Sequence, residues 1–145
     1  MDSNKFSKAK RCACGNIRRA TRSITQYYDE YLKASGLRAT QFSVLTSISL
    51  NDRITIGELA DLLVMDQTTV TRNLTMLKQE GYVHLASEKS DARKKLLQLT
   101  PKGFEKLTEA MPLWELAQNR LEIGMGQERF REMLSIFSQL ITLTK

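Results

Sequence analysis

Apolar residues recur along this chain with two different periods, and the changes between them divide it into elements. From about Lys8 to Ser35, Ala13, Ile17, Ala20, Ile24, Tyr27 and Tyr31 are spaced three or four apart, which predicts an amphipathic helix that Gly36 ends as a C-cap. Thr40 is the expected N-cap of a second helix carrying Phe42, Leu45 and Ile48, which the polar Asn51-Asp52-Arg53 terminates. Thr55-Ile56-Gly57-Glu58 has the form of a capping box, in which the threonine hydroxyl accepts from the Glu58 N–H and the glutamate reaches back. A short helix follows, with Ile56, Leu59, Ala60 and Leu63 on one side, before Asp66 caps the next. That fourth helix, about Gln67 to Glu80, hides Val70, Leu74 and Leu77, and Gly81 stops it.

The period then shortens to two. Tyr82 to Ala86 alternates through Val83 and Leu85, and Lys95 to Thr100 through Leu97 and Leu99, which predicts two strands around a polar tip, Ser87 to Lys94. Thr100-Pro101 pairs an N-cap with a first-turn proline, so a long helix starts there and runs towards Ile123, with a kink expected at Pro112. Gly124 and Gly126 mark a turn, and Phe130, Met133, Leu134, Phe137, Leu140 and Ile141 predict a final amphipathic helix. The expected fold is mainly α with a small β-wing: a winged helix-turn-helix lobe over 40–100, its recognition helix at 67–80 and its wing at 87–95. N- and C-terminal helices, 8–35 and 101–145, are expected to dimerise, because a body this small cannot cover Phe130, Met133, Phe137, Leu140 and Ile141 alone.

A length of 145 residues fits one folding unit over 1–145, and 41% hydrophobic with 26% charged residues is an ordinary globular composition. No apolar run reaches the length of a membrane span, and Met1-Asp2-Ser3-Asn4-Lys5 lacks the apolar core of a signal peptide, so a cytoplasmic protein is expected. The net charge of +6 favours an anionic partner. Lys8, Lys10, Arg11, Arg18, Arg19 and Arg22 form one cluster without an acid, and Arg93, Lys94 and Lys95 form another; each alone is equally well read as a solvated face.

A helix pair joined by a tight turn lets its second helix lie in the major groove of DNA while the first braces it. Stepping 100° per residue from the Val70, Leu74, Leu77 stripe puts Thr68, Arg72, Thr75 and Gln79 on the opposite side, with Thr69 and Thr71 flanking. Arg72 can fork onto guanine, Gln67 and Asn73 can pair with adenine if they turn far enough, and the threonines can bond phosphates or touch thymine methyls. At the hairpin tip Arg93 can enter a minor groove, steadied by Asp91, with Lys89, Lys94 and Lys95 on phosphates. The plain alternative is a solvated hairpin with incidental charges.

The run Asp91-Ala92-Arg93-Lys94-Lys95-Leu96-Leu97-Gln98-Leu99-Thr100-Pro101-Lys102-Gly103 resembles the D-x-R wing signature of the MarR family of bacterial regulators, leading into that family's L-T-x-x-G helix start. Gly57-Glu58-Leu59-Ala60 and Asp66-Gln67-Thr68-Thr69-Val70-Thr71-Arg72 resemble its paired helices. The resemblance covers nearly the whole chain and implies a triangular homodimer whose first, fifth and sixth helices intertwine. Such a dimer implies a double-stranded, pseudo-palindromic operator with half-site centres about one turn, roughly 34 Å, apart. Repression is the output that the resemblance favours.

The resemblance also implies release by a small ligand or by oxidation. Cys12 and Cys14 lie in the most basic stretch, where Lys10, Arg11 and Arg18 favour a thiolate, and Tyr27, Tyr28 and Tyr31 follow on the same helix. The arrangement is similar to that of the family's hydroperoxide-sensing branch; alternatively, both cysteines are small packing residues. A pocket for a small aromatic or apolar effector is expected between the lobe and the dimer helices, lined by Tyr27, Tyr31, Phe42 and Trp114. No phosphate loop, paired-histidine metal motif or nucleophile elbow is present, and the single histidine, His84, sits on a strand, so neither an enzyme nor a metal or cofactor site is expected. A protein-interaction adaptor on the same scaffold is the remaining alternative, and it has no need of Arg72 and Arg93.

Overall fold

The computed structural model describes residues 3–145, so Met1 and Asp2, part of the segment read above for a signal peptide, lie outside the described residues. A 3-10 segment, Ser3–Arg11, leads into α1 (Ala13–Leu32), and then come α2 (Ala39–Leu50), α3 (Ile56–Leu63) and α4 (Gln67–Gln79). The strands β1 (Val83–Ser87) and β2 (Lys95–Leu99) form one antiparallel hairpin in the register Val83 to Leu99 and Ser87 to Lys95. Two long helices, α5 (Pro101–Met125) and α6 (Gln127–Leu143), complete the chain.

Four boundaries differ from expectation, each for a local physical reason. The first helix does not begin at Lys8: Cys12 is extended at ψ 118, and the Asn16 side-chain amide donates to the carbonyls of Lys10 and Cys12, which breaks the path before Ala13. Its far end tightens into a 3-10 turn, Lys33–Ser35, before Gly36 at φ 79. The second helix is capped not at Thr40 but at Arg38, because the Ala39 N–H donates to the Asp29 carboxylate of α1 at 2.7 Å and the Arg38 N–H to Gln41 Oε1 at 2.9 Å. The fifth helix runs unbroken through Pro112 and past Gly124, and only Gly126, at φ 85, marks the joint to α6. Buried Ala110 and Ala117 flank the proline on the side packed against the rest of the body.

Three of the four expected N-caps form: Glu58 N–H on Thr55 Oγ1 at 3.1 Å, Thr69 N–H on Asp66 Oδ1 at 2.8 Å and Gly103 N–H on Thr100 Oγ1 at 3.0 Å. Gly103 has a further reason to be glycine, since a Cβ there would stand 2.0 Å from the carbonyl oxygen of Tyr82. Leu32, Leu45, Leu59, Leu74, Leu77 and Leu97 make a core that joins the end of α1, helices α2 to α4, the hairpin and the first turns of α5. Each such side chain contributes about 1.5–3 kcal/mol of apolar burial. By contrast Ile24, Ile123, Leu134, Phe137 and Ile141 of α1, α5 and α6 remain exposed in the single chain. No helix among the described residues is long and apolar enough to cross a membrane.

Candidate nucleic-acid interface

The turn between α3 and α4 is three residues long, and Val64 occupies a left-handed conformation at φ 53 with its N–H returned to the end of α3. The Asp66 carboxylate then accepts from both the N–H and the hydroxyl of Thr69, each at 2.8 Å. Those bonds, the Thr69 backbone N–H above all, hold the Asp66 carboxyl below its ordinary range. The Thr55 N–H and hydroxyl do the same for Glu58 at the start of α3. Both helices of the pair therefore begin at satisfied caps with an ionised carboxylate in or beside the cap, Glu58 for α3 and Asp66 for α4.

On α4, Val70, Leu74 and Leu77 are buried, and Gln67, Thr68, Thr71, Arg72, Thr75 and Gln79 are exposed on the opposite side and its edges. Two of the expected contact residues are placed differently. Thr69 spends its hydroxyl and its N–H on the Asp66 cap, and Asn73 is half-buried, because 300° of helical rotation from Val70 returns it to the shoulder of the core stripe. The Thr75 hydroxyl donates to the Thr71 carbonyl at 2.9 Å.

Three residues after α4 the chain enters β1, so the hairpin and α4 are bound to one another through the core. Asp91 meets Arg93 through the backbone: its carboxylate accepts from the Arg93 N–H at 3.0 Å and shapes the turn. Lys95 donates to Ser87 Oγ at 2.7 Å, and Lys94 lies 3.6 Å from the Glu88 carboxylate. Among the described residues the side chains of Lys89 and Arg93 have no hydrogen bond or ion pair, and both are exposed. Arg53 and Glu88, which form an ion pair between the turn before α3 and the start of the hairpin loop, escaped the sequence reading because 35 residues separate them.

Away from this face lies an apolar cavity of about 640 Å³ between α1, α2 and α5. Phe42 and Trp114 line it as expected and stack at 5.8 Å, but Tyr27 and Tyr31 do not; Tyr28 takes their place. The three tyrosines diverge because α1 crosses α5 along its flank. Tyr27 gives its hydroxyl to the Ala117 carbonyl at 2.9 Å, Tyr28 to Gln118 Oε1, and Arg120 donates to the Tyr31 hydroxyl at 2.7 Å. Burial pushes the Tyr27 and Tyr28 phenols above their ordinary values. Tyr27 instead lines an apolar groove with Ile17, Ile24, Leu121, Met133 and Phe137.

Cys12 and Cys14 are free and exposed in the single chain. At 1.5 Å of rise per residue, the tyrosines of α1 lie roughly 20 Å along the helix from Cys14, so within one chain none approaches a cysteine. Lys8, Lys10, Arg11, Arg18, Arg19 and Arg22 are all exposed around them.

Comparison with known proteins agrees with this geometry. Residues 37–95 match the model of the MarR family. An uncharacterised HTH-type transcriptional regulator of Bacillus cereus is 35% identical over 94 residues, 65% of this chain, and the match spans 62% of that protein's length. The HTH-type transcriptional regulator SarZ of Staphylococcus epidermidis is 31% identical over 123 residues, covering 85% of this chain and 82% of that protein. The crystal structure of the transcriptional regulator MosR of M. tuberculosis, in complex with DNA, superposes with a TM-score of 0.80 at 38% identity, covering 92% of this chain and 98% of that one. This chain belongs to the MarR family of winged-helix transcription regulators.

Proposed function

We propose that this protein acts in the cytoplasm as a homodimeric, sequence-specific repressor that binds a pseudo-palindromic double-stranded operator. The observation that carries the reading is the exposed face of α4, where Thr68, Thr71, Arg72 and Thr75 stand clear of the core beside a hairpin bearing Lys89 and Arg93. Arg72 reads a base edge from the major groove and Arg93 enters the adjoining minor groove, while Gln67, Lys89 and Lys95 meet bases or phosphates at the margins. The MosR structure with DNA supports the same use of this fold at 38% identity. A second copy supplies the cover for the apolar groove of α1, α5 and α6. Selection of random duplexes by the purified protein tests this reading. A two-fold symmetric site should be enriched, and Arg72→Ala should lower discrimination by about 1–3 kcal/mol. Failure of the folded protein to enrich any sequence at any salt concentration overturns it.

Two observations favour control by a signal. The cavity beside Phe42 and Trp114 has the size and apolar lining that suit a small aromatic or apolar effector. The exposed pair Cys12 and Cys14 is open to oxidation, in which a hydroperoxide converts a thiolate to a sulfenic acid and leaves as the alcohol or water. Peroxide should then abolish operator binding, and Cys12→Ser with Cys14→Ser should preserve it; persistent sensitivity in the double mutant removes the redox arm.

A further inference from the structure

Where the hairpin loop leaves the strands, one step beyond the Ser87–Lys95 pair, lies a charge cluster that neither the α4 face nor the cavity uses. Arg53 sits in the turn between α2 and α3 in a left-handed conformation, φ 66, which an arginine adopts at a cost. Its guanidinium is ion-paired with the Glu88 carboxylate, whose other oxygen lies 3.6 Å from Lys94 Nζ. The side chain of Glu88 is only 15% exposed, against 59% for Arg53 and 46% for Lys94, so the carboxylate is the enclosed centre of the group. The Glu88 N–H donates to the Lys94 carbonyl at 3.0 Å. One residue beyond Arg53, the Ile54 carbonyl accepts the Leu97 N–H at 2.8 Å, adding a short third lane to the hairpin. One enclosed carboxylate thus stands between two bases, Arg53 from the turn before α3 and Lys94 from the hairpin loop.

We infer that Glu88 is a positioning residue for DNA recognition: through Arg53 and Lys94 it fixes the hairpin's angle to α4 without itself touching DNA. The inference rests on the DNA-binding reading above. Its logic is geometric. Base discrimination requires Arg72 and Arg93 to reach adjacent grooves together, and a hairpin free to swing pays an ordering cost when it docks. Lys94 is therefore a member of the clamp more than a phosphate contact. With Arg53 59% and Lys94 46% exposed, both cations remain largely in water and the pairs add little to global stability, so the effect belongs to recognition more than to folding.

Position and charge predict opposite signs, which makes the test sharp. Removing an anion near DNA by Glu88→Gln tightens binding to every duplex if only electrostatics matters. The clamp instead predicts that Glu88→Gln lowers the ratio of selected-operator to random-duplex affinity by about fivefold, and that Arg53→Gln does the same. Because both act through one contact, the double variant should lose no more than either single one. In the free protein, amide exchange at Glu88 and Leu97 should quicken in both variants while the melting temperature stays nearly constant. Equal tightening to operator and random DNA, additive losses, or unchanged exchange at Glu88 and Leu97 each overturn the inference. Absence of DNA binding by the wild type overturns the functional reading instead, and the exchange measurement then decides the clamp alone.

Discussion

The lobe built from α2 to β2 and the frame built from α1 and α6 are both patterned as amphipathic elements, yet they end differently. In the lobe, Leu45, Leu59, Leu74, Leu77 and Leu97 are sealed inside a single chain. In the frame, Ile24 is 37% exposed, Phe137 40%, Ile141 41% and Leu134 49%, although their spacing is as regular as that of the lobe. Periodicity states that a face is to be buried and is silent about what buries it. The lobe finds its cover within the sequence, whereas the frame has a stripe for which one chain offers no lid. Under the proposed function a second copy is that lid, and the stability of the frame is then tied to protein concentration while that of the lobe is not.

The strongest way to break the contrast is to damage the lobe. Leu74→Ala removes a side chain with no exposure, and unfolding in urea should show a loss of about 2–5 kcal/mol that does not vary with protein concentration. Phe137→Asp addresses the frame: each copy forfeits about 1.5–3 kcal/mol of apolar burial and gains a charge at the joint. Sedimentation should report monomers, and the melting temperature should cease to rise with concentration. A variant that stays dimeric places the subunit contact elsewhere.

Smaller effects sharpen the picture inside the lobe. Thr55→Ala deletes the hydroxyl that accepts from Glu58 N–H and should cost about 1 kcal/mol by thermal unfolding, without altering oligomeric state. Asp66 supplies a pH signature. Its folded carboxyl titrates below the ordinary aspartate value, so its stabilisation is complete above about pH 4 and is lost as the pH falls through the depressed folded value. The difference in melting temperature between wild type and Asp66→Asn should be constant near neutrality and shrink on acidification. A difference independent of pH would show that the carboxylate's charge adds nothing to the cap.

Much of the lobe was legible in the residues because its devices are local. Capping boxes act over three residues, a strand pair declares itself by alternation, and the exposed side of α4 follows from rotation about one axis. The places where reading failed share a different property. Arg38 displaced Thr40 as a cap because Asp29 reaches across from α1 to accept from the N–H of Ala39, ten residues on. Tyr28 took the cavity position expected of Tyr27 and Tyr31 because α1 is gripped along its flank by Ala117, Gln118 and Arg120. Glu88 found Arg53 across 35 residues. None of these contacts leaves a mark in spacing.

The sequence by itself therefore determined the order of helices and strands, which face of each is apolar, where most helices begin, and which side of α4 carries Arg72. Only the tertiary structure decided which polar partners meet across elements, which tyrosine faces the cavity, and that Phe130, expected to need a second copy, is buried within one chain while Ile24, Leu134, Phe137 and Ile141 are not. The division has one cause. Propensity, capping and periodicity depend on residues a turn apart, whereas the pairing of distant groups depends on how rigid elements cross, and that is settled by packing the core.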